Sequence, residues 1–437
     1  MPLFPHCRFA TWAVLAPWAW PALHAQDWDV IKASYTEIEW IAGLSGESPD
    51  NGNEWNNAEG KPAKEAELSE PHSAMADLAG AVYLADKNAH AIRKITTDGL
   101  IHTVAGTNAA GYNGDGLATA CQLDGPQHAY VLPDGVFYVM DTGNRRIRKV
   151  GLDGQMTTII TETQALSRGL WVSRDENVIY YATEKTLKKW TPAQGGGPGV
   201  VLAQGIEDAG NLDVAANGDI YISDRGASRV YRVPPGSNPA DPLVAAAGVG
   251  GNESNGPNAS GRPALEVGMR EARGVAFHPA GGYFVATHRG GDVWYVDVQG
   301  RAWMFVEGDA NSTFFPDPQP VPTTDQVMAE PRSISVALNG DILICGNDAG
   351  YIRRIRYTGP AASSPVVLSV AHQSPATVSW QGEAQRWFSL EAADGPGGAW
   401  SPVLTGRHTG ALQEWTQPAA PAAQKFYRLR EFRDWPN

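Results

Sequence analysis

Basic side chains recur at the start of short apolar strands. His72 opens HSAMA (72–76), Arg168 opens RGLWV (168–172), Arg273 opens RGVAF (273–277) and Arg332 opens RSISV (332–336). Gln127 in QHAYV and Gly210 in GNLDV hold the same place. Guanidiniums recognise carboxylates by paired hydrogen bonds. If these strands share one register around an axis, the expected chemistry is recognition of an anionic ligand. The same arginines can instead bond neighbouring backbone, and both readings stay open. His72, His128 (one residue further along its strand) and His288, in a turn, add imidazole. Two or more imidazoles near one opening can hold a divalent metal, Zn or Ca, or serve as acid and base. His72 and His128 are the metal candidates and all three are catalytic candidates. A lone strand histidine can equally be structural. Trp55, in a long loop, is a candidate for stacking on a sugar ring.

What must position these residues is a repeat. In 127–160, QHAYV, FYVMD, RIRKV and MTTII are separated by Pro133-Asp134-Gly135, Thr142-Gly143-Asn144 and Asp153-Gly154. Asp-Gly and Gly-Asn supply the positive φ of tight hairpins. FYVMD recurs as VYLAD (82–86), IYYAT (179–183), IYISD (220–224), YFVAT (283–287) and ILICG (342–346). RIRKV recurs as AIRKI (91–95), TLKKW (186–190), RVYRV (229–233), VWYVD (293–297) and YIRRI (351–355). The minimal period is about forty residues, that of a propeller blade. YTEIEWIA (36–43) resembles a fourth strand, and the sixth repeat lacks one. The expectation is an all-β, six-bladed β-propeller over 36–358, its last blade completed by the N-terminal strand. The acids ending second strands, Asp86, Asp141 and Asp224, are expected to cap their own turns. The long segments 44–67, 107–122, 249–264 and 308–327 are expected to build up the face on which the strands start.

Residues 1–25 read as a secretory signal peptide, with a weakly basic start, an apolar run and Leu23-His24-Ala25 as cleavage site. Secreted or periplasmic location follows as an expectation. Residues 359–365 read as a linker, and 366–437 as a small β-sandwich of immunoglobulin or fibronectin type. The 437 residues include 48 Gly, 31 Pro and 15 Trp with 19% charged, which suits turn-rich β structure. A net charge of −13 disfavours nucleic acid. No stretch reads as a membrane span. Cys121 and Cys345 fall in non-adjacent repeats, so no disulfide between them is expected. P-loop, dinucleotide and nucleophile-elbow motifs are absent.

DTGNRRIRKV (141–150) resembles the NHL repeat, and the likeness extends over 36–358. VAGTNAAGYNGDGLATACQLDGP (104–126) is similar to the inter-blade loop of bacterial NHL proteins and of the teneurin ectodomain. The resemblance implies a monomeric platform for an extracellular glycan, peptide or small molecule. Propellers of related shape are enzymes: the amidating lyase, the gluconolactonase group and streptogramin lyase. Pro71-His72 matches where the amidating lyase places zinc-binding histidines, but the other blades here offer Arg. Of the gluconolactonase ligand set only Asn211 and Asp213 are candidates. The alternative function is therefore a metal- or His-dependent lyase or hydrolase acting on an anionic sugar or small molecule.

Overall fold

The structure is a computed structural model. It describes residues 28–44, 58–215, 217–278, 281–308, 320–323, 328, 330–346 and 350–358, and beyond these 369–371, 377–380, 387–393, 401–407, 413–416 and 426–432. Residues 1–25, Trp55 and the segment 359–365 lie outside this set.

Six antiparallel sheets follow one another along the chain. Their first strands are Pro71–Ala76, His128–Val131, Leu166–Val172, Ala209–Val214, Ala272–Phe277 and Pro331–Val336. Each pairs with the second strand of its own sheet, which pairs in turn with the third. Second strands such as Val82–Asp86 and Phe137–Asp141 are buried throughout. They are covered on both faces, which is why they read as continuous apolar runs rather than alternating ones. In the sixth sheet Glu37–Ala42 lies beside Tyr351–Ile355, with Ile38 opposite Ile355 and Glu39 opposite Arg354. Glu39 also reaches Arg354 Nη2 at 2.6 Å and Arg356 Nε at 2.7 Å. The short helix Trp28–Ala33 packs next to this seam, with Trp28 stacked on Trp303 at 5.8 Å.

Six apolar clusters form, one between each pair of adjacent sheets. Tyr83 and Ile92 of the first sheet meet Phe137 and Val139 of the second. Leu343 and Ile352 of the sixth meet Ala74 and Leu84 of the first. No sheet owns its core; each buries its faces only against neighbours, as in repeat folds generally.

The long segments behave differently from the expectation. Part of each runs down the outer flank of the following sheet and adds a short fifth strand. Lys61–Pro62, Gly116–Leu117 and Arg262–Pro263 join the outer strands of sheets one, two and five. Val321–Pro322 joins Glu37–Ala42. Ala63, Leu68, Cys121, Leu123, Val267 and Met328 then fill the wedges between sheets. These segments are packing elements at least as much as face-builders. The cause is apolar residues hidden in stretches that look like loops.

Two further three-stranded sheets follow. Ser369–Ala371, Thr377–Trp380 and Gln413–Thr416 form one; Ser401–Arg407, Trp387–Ala393 and Phe426–Phe432 form the other. Val378, Trp380 and Leu390 make a small core, with Trp415 and Tyr427 against it. No helix among the described residues is long and apolar enough to cross a membrane.

Candidate functional site

The first strands line the central axis, where hydrogen bonds between neighbouring sheets replace a ladder. Ser73 Oγ accepts from Ala129 N at 3.0 Å, and Ser335 Oγ donates to Ala74 O at 2.7 Å. Ser223 Oγ donates to Arg273 O at 2.7 Å. The strands approach closely: a Cβ on Gly210 would stand 2.5 Å from Arg273 O. Gly210 is therefore a packing glycine holding blades four and five together.

At the end of the channel where these strands begin, side chains from five blades converge. Arg332 Nη1 lies 3.2 Å from His72 Nε2 and 3.3 Å from Glu70 Oε1. Glu70 also holds Lys87 Nζ at 2.6 Å. Arg168 donates to Asp208 Oδ1 at 3.1 Å, and Arg225 Nε donates to Asp208 Oδ2 at 2.7 Å. His288 Nδ1 lies 3.1 Å from Glu271 Oε2, and its Nε2 lies 3.4 Å from Glu330 Oε2. In the midst of this network stands Arg273, 0% exposed. Its Nε, Nη1 and Nη2 are buried and have no hydrogen-bond partner among the described residues. An uncompensated buried charge is costly.

The electrostatics follow from that crowding. Burial, then the positive charges of Arg168, Arg332 and Arg225, hold the Arg273 guanidinium well below its ordinary range. Burial, then Arg273 and Arg332, drive His72 well below its ordinary value. Its tautomer follows from its partners: Nδ1–H donates to Glu70 O at 2.9 Å and bare Nε2 accepts from Arg332. His288 is pushed down to about 2, first by burial and then by Arg273, Arg332, Arg225 and Arg168. Both shifts favour the neutral ring, while Glu271 and Glu330 on either side of His288 favour its charged form.

His72, Arg168, Arg273, Arg332 and His288 thus come together. His128 does not share their field. Its Nδ1 meets the Arg168 carbonyl at 2.8 Å, and burial lowers its pKa to about 4. It lines a separate cavity of about 110 Å³ along the inner channel, with Tyr130, Arg174, Asn211, Asp213 and Ser333. Gln127 stands one residue ahead of its strand rather than opening it, and donates its backbone amide to Met140 O at 3.1 Å. Its Oε1 is buried with no partner among the described residues. Asp213 accepts from Phe277 N at 2.8 Å, and burial raises its pKa to about 6. Among the described residues no three His, Cys, Asp or Glu side chains are arranged to hold a metal ion. A cation beside His72 would also meet the Arg273 and Arg332 charges.

Sequence reading missed the carboxylates. Glu70, Asp208, Glu271 and Glu330 each stand two residues before His72, Gly210, Arg273 and Arg332. That spacing was the available signal. Glu70, Glu271 and Glu330 have φ of 63°, 52° and 41°, and Gly125 takes the same place in blade two with φ 54°. The backbone there suits glycine, yet three blades carry glutamate. Asp86, Asp141 and Asp224 chiefly serve these same segments. Asp86 accepts from Ser69 N at 2.6 Å, Asp141 from Asp124 N at 2.7 Å and Asp224 from Asp208 N at 2.9 Å. They brace the segment ahead of their own first strand; Asp224 also bonds its own turn at Ala227 N, and Asp141 its own turn at Asn144 Nδ2.

No family model matches the chain. Mouse (Mus musculus) teneurin-3 is 34% identical over 105 residues, 21% of this chain and 4% of teneurin-3. Zebrafish (Danio rerio) teneurin-3 gives the same figures. The chain therefore spans a small fraction, 4%, of the curated relatives it matches. A protein of unknown function from Bacteroides thetaiotaomicron aligns with a TM-score of 0.56 at 15% identity, covering 74% of this chain and 76% of that one. An auxiliary nutrient binding protein from Bacteroides ovatus aligns at 0.54 and 13%, with the same coverage. The fold is a six-bladed β-propeller. The teneurin similarity fits the resemblance of the repeats to the NHL type, and the structural likenesses fit the propeller fold.

Proposed function

We propose that the protein is an extracytoplasmic binding protein whose propeller takes an anionic ligand at the channel mouth. The observation that carries the reading is Arg273, a fully buried guanidinium whose three nitrogens have no hydrogen-bond partner among the described residues. Arg168, Arg332, His72 and His288 frame it. In a water-poor site such a charge binds an anion far more strongly than it would in bulk solvent. Similarity to Bacteroides nutrient-binding propellers supports a small ligand and a role outside the cytoplasm. The apolar stretch before Gln26 supports export. In this reading Glu37–Ala42 clasps the ring shut, and residues 366–437 form a sandwich that attaches or orients the propeller. The test is equilibrium dialysis against acidic and neutral oligosaccharides of matched size. The acidic ones bind, and Arg273→Gln with Arg332→Gln abolishes binding; equal retention of neutral sugars overturns the reading.

A second reading, a His-dependent lyase, draws on one observation. His72 and His288 are imidazoles of lowered pKa beside arginines. An imidazole beside a guanidinium that binds a carboxylate is placed to remove a proton α to that carboxylate. The bound carboxylate's charge would raise the ring's depressed pKa toward the useful range. Time-resolved ultraviolet absorbance on polyuronate would register the unsaturated product. A flat trace over hours excludes this reading and leaves the binding reading intact.

A further inference from the structure

Of the guanidiniums at the channel mouth, each but one is already committed. Arg168 and Arg225 are held by Asp208, and Arg332 by Glu70 and His72. Arg273 alone among them has every nitrogen unpartnered within the described residues, and it is also the deepest. The carboxylates Glu70, Asp208, Glu271 and Glu330 are shallower, with side chains 14 to 28% exposed. A ligand must pass this acidic rim to reach Arg273.

That arrangement selects on two counts. One free guanidinium neutralises one negative charge. A second charge on the ligand would find no free guanidinium, because Asp208 and Glu70 already hold the other three. The rim also offers carboxylate oxygens, which accept hydrogen bonds and donate none. They reward a ligand whose negative end is flanked by hydroxyl or ammonium groups.

Resting on the anionic reading above, we infer that the mouth takes a compact monocarboxylate with hydrogen-bond donors beside its carboxylate. The carboxylate pairs with Arg273 and the donors face Glu70, Asp208, Glu271 and Glu330. A single uronic-acid unit supplies those donors as hydroxyls, and a free amino acid supplies them as ammonium. Phosphorylated sugars carry close to two charges near neutral pH, one more than Arg273 can neutralise.

The experiment is calorimetric titration of the full chain with D-galacturonate, L-lactate, glycine, acetate, galactose, sodium sulfate and sodium chloride. A donor-bearing carboxylate should bind at least about tenfold more tightly than acetate or sulfate, a difference of about 1.4 kcal/mol, and galactose should not bind. Galacturonate against glycine distinguishes the hydroxyl source from the ammonium source. Tightest binding of sulfate or chloride overturns the ligand class while leaving an anion site. No heat with any anion overturns both readings. Arg273→Met should lose the carboxylate and, measured without ligand, melt no lower than the parent, because an unpaired buried charge is removed. A lower melting temperature or failure to fold would make Arg273 a structural arginine and defeat the inference.

Discussion

At the scale of single residues, two arginines one blade apart should behave oppositely. Arg332 is paired with Glu70 and touches His72, so Arg332→Met takes one of two cationic partners from a partly buried carboxylate, Lys87 being the other. It should lower stability by about 1–3 kcal/mol in urea unfolding, whereas Arg273→Met should not. A second residue-scale consequence concerns pH. Burial, Arg273 and Arg332 hold His72 well below the ordinary 6.5 and His288 down to about 2, so both rings favour the neutral form as pH falls from 8. The arginines stay charged and a carboxylate ligand stays ionised over that range. Affinity should therefore be flat from pH 8 to pH 5; tightening below pH 6.5 would mean that a histidine charges in the site. Asp292 offers the opposite linkage. Burial raises its folded pKa to about 7 despite the hydrogen bond from Gly308 N. A raised carboxyl pKa costs stability once pH exceeds the unfolded value, and the full cost is reached above the folded one. Asp292→Asn should stabilise the protein by up to about 4 kcal/mol at pH 8 and by nothing measurable at pH 3.5, read from paired unfolding curves.

At the scale of elements, the repeat was legible because tight turns need Asn, Asp or Gly, and strands covered on both faces need unbroken apolar runs. FYVMD and IYISD announce themselves in that way. The four carboxylates at the mouth were not legible, since Glu70 and Glu330 precede prolines in what read as loop ends. Only the left-handed backbone there brings their side chains back over the channel. The long segments were misjudged for a related reason: Ala118, Cys121 and Leu123 are too sparse to signal a strand, yet all three are buried between blades. The buried third-strand arginine of the motif pins such a segment. Arg148 donates to Gln122 O at 3.1 Å and to Gly114 O at 2.5 Å, and its Nη1 lies 3.7 Å from Asp141. Tyr112 is held beneath Arg146, with 3.8 Å from the guanidinium carbon to the ring centroid. Arg148→Met should cost about 3 kcal/mol and speed amide hydrogen exchange in 107–122 before the rest of blade two. Uniform exchange across the blade would deny that the arginine acts through the segment.

At the scale of the whole molecule, six cores that exist only between blades make the ring one cooperative body. Its seam is the pairing of Glu37–Ala42 with Tyr351–Ile355, reinforced by Glu39 with Arg354 and Arg356. Removing residues up to 43 should expose the edge of Tyr351–Ile355 and shift the protein to higher-order species in size-exclusion chromatography. A monodisperse, cooperatively unfolding variant would show that the seam is dispensable. The seam matters to the site because Arg273, Arg332 and His72 belong to blades five, six and one, so the cation cluster is complete only in the closed ring. The most direct measurement of that cluster's purpose is a bromide-soaked crystal of the full chain, with anomalous diffraction at the bromine edge. The account predicts a peak within hydrogen-bonding reach of the Arg273 guanidinium, inside the ring of Glu70, Asp208, Glu271 and Glu330. Bromide confined to exposed arginines, with the Arg273 nitrogens left to water, would contradict it.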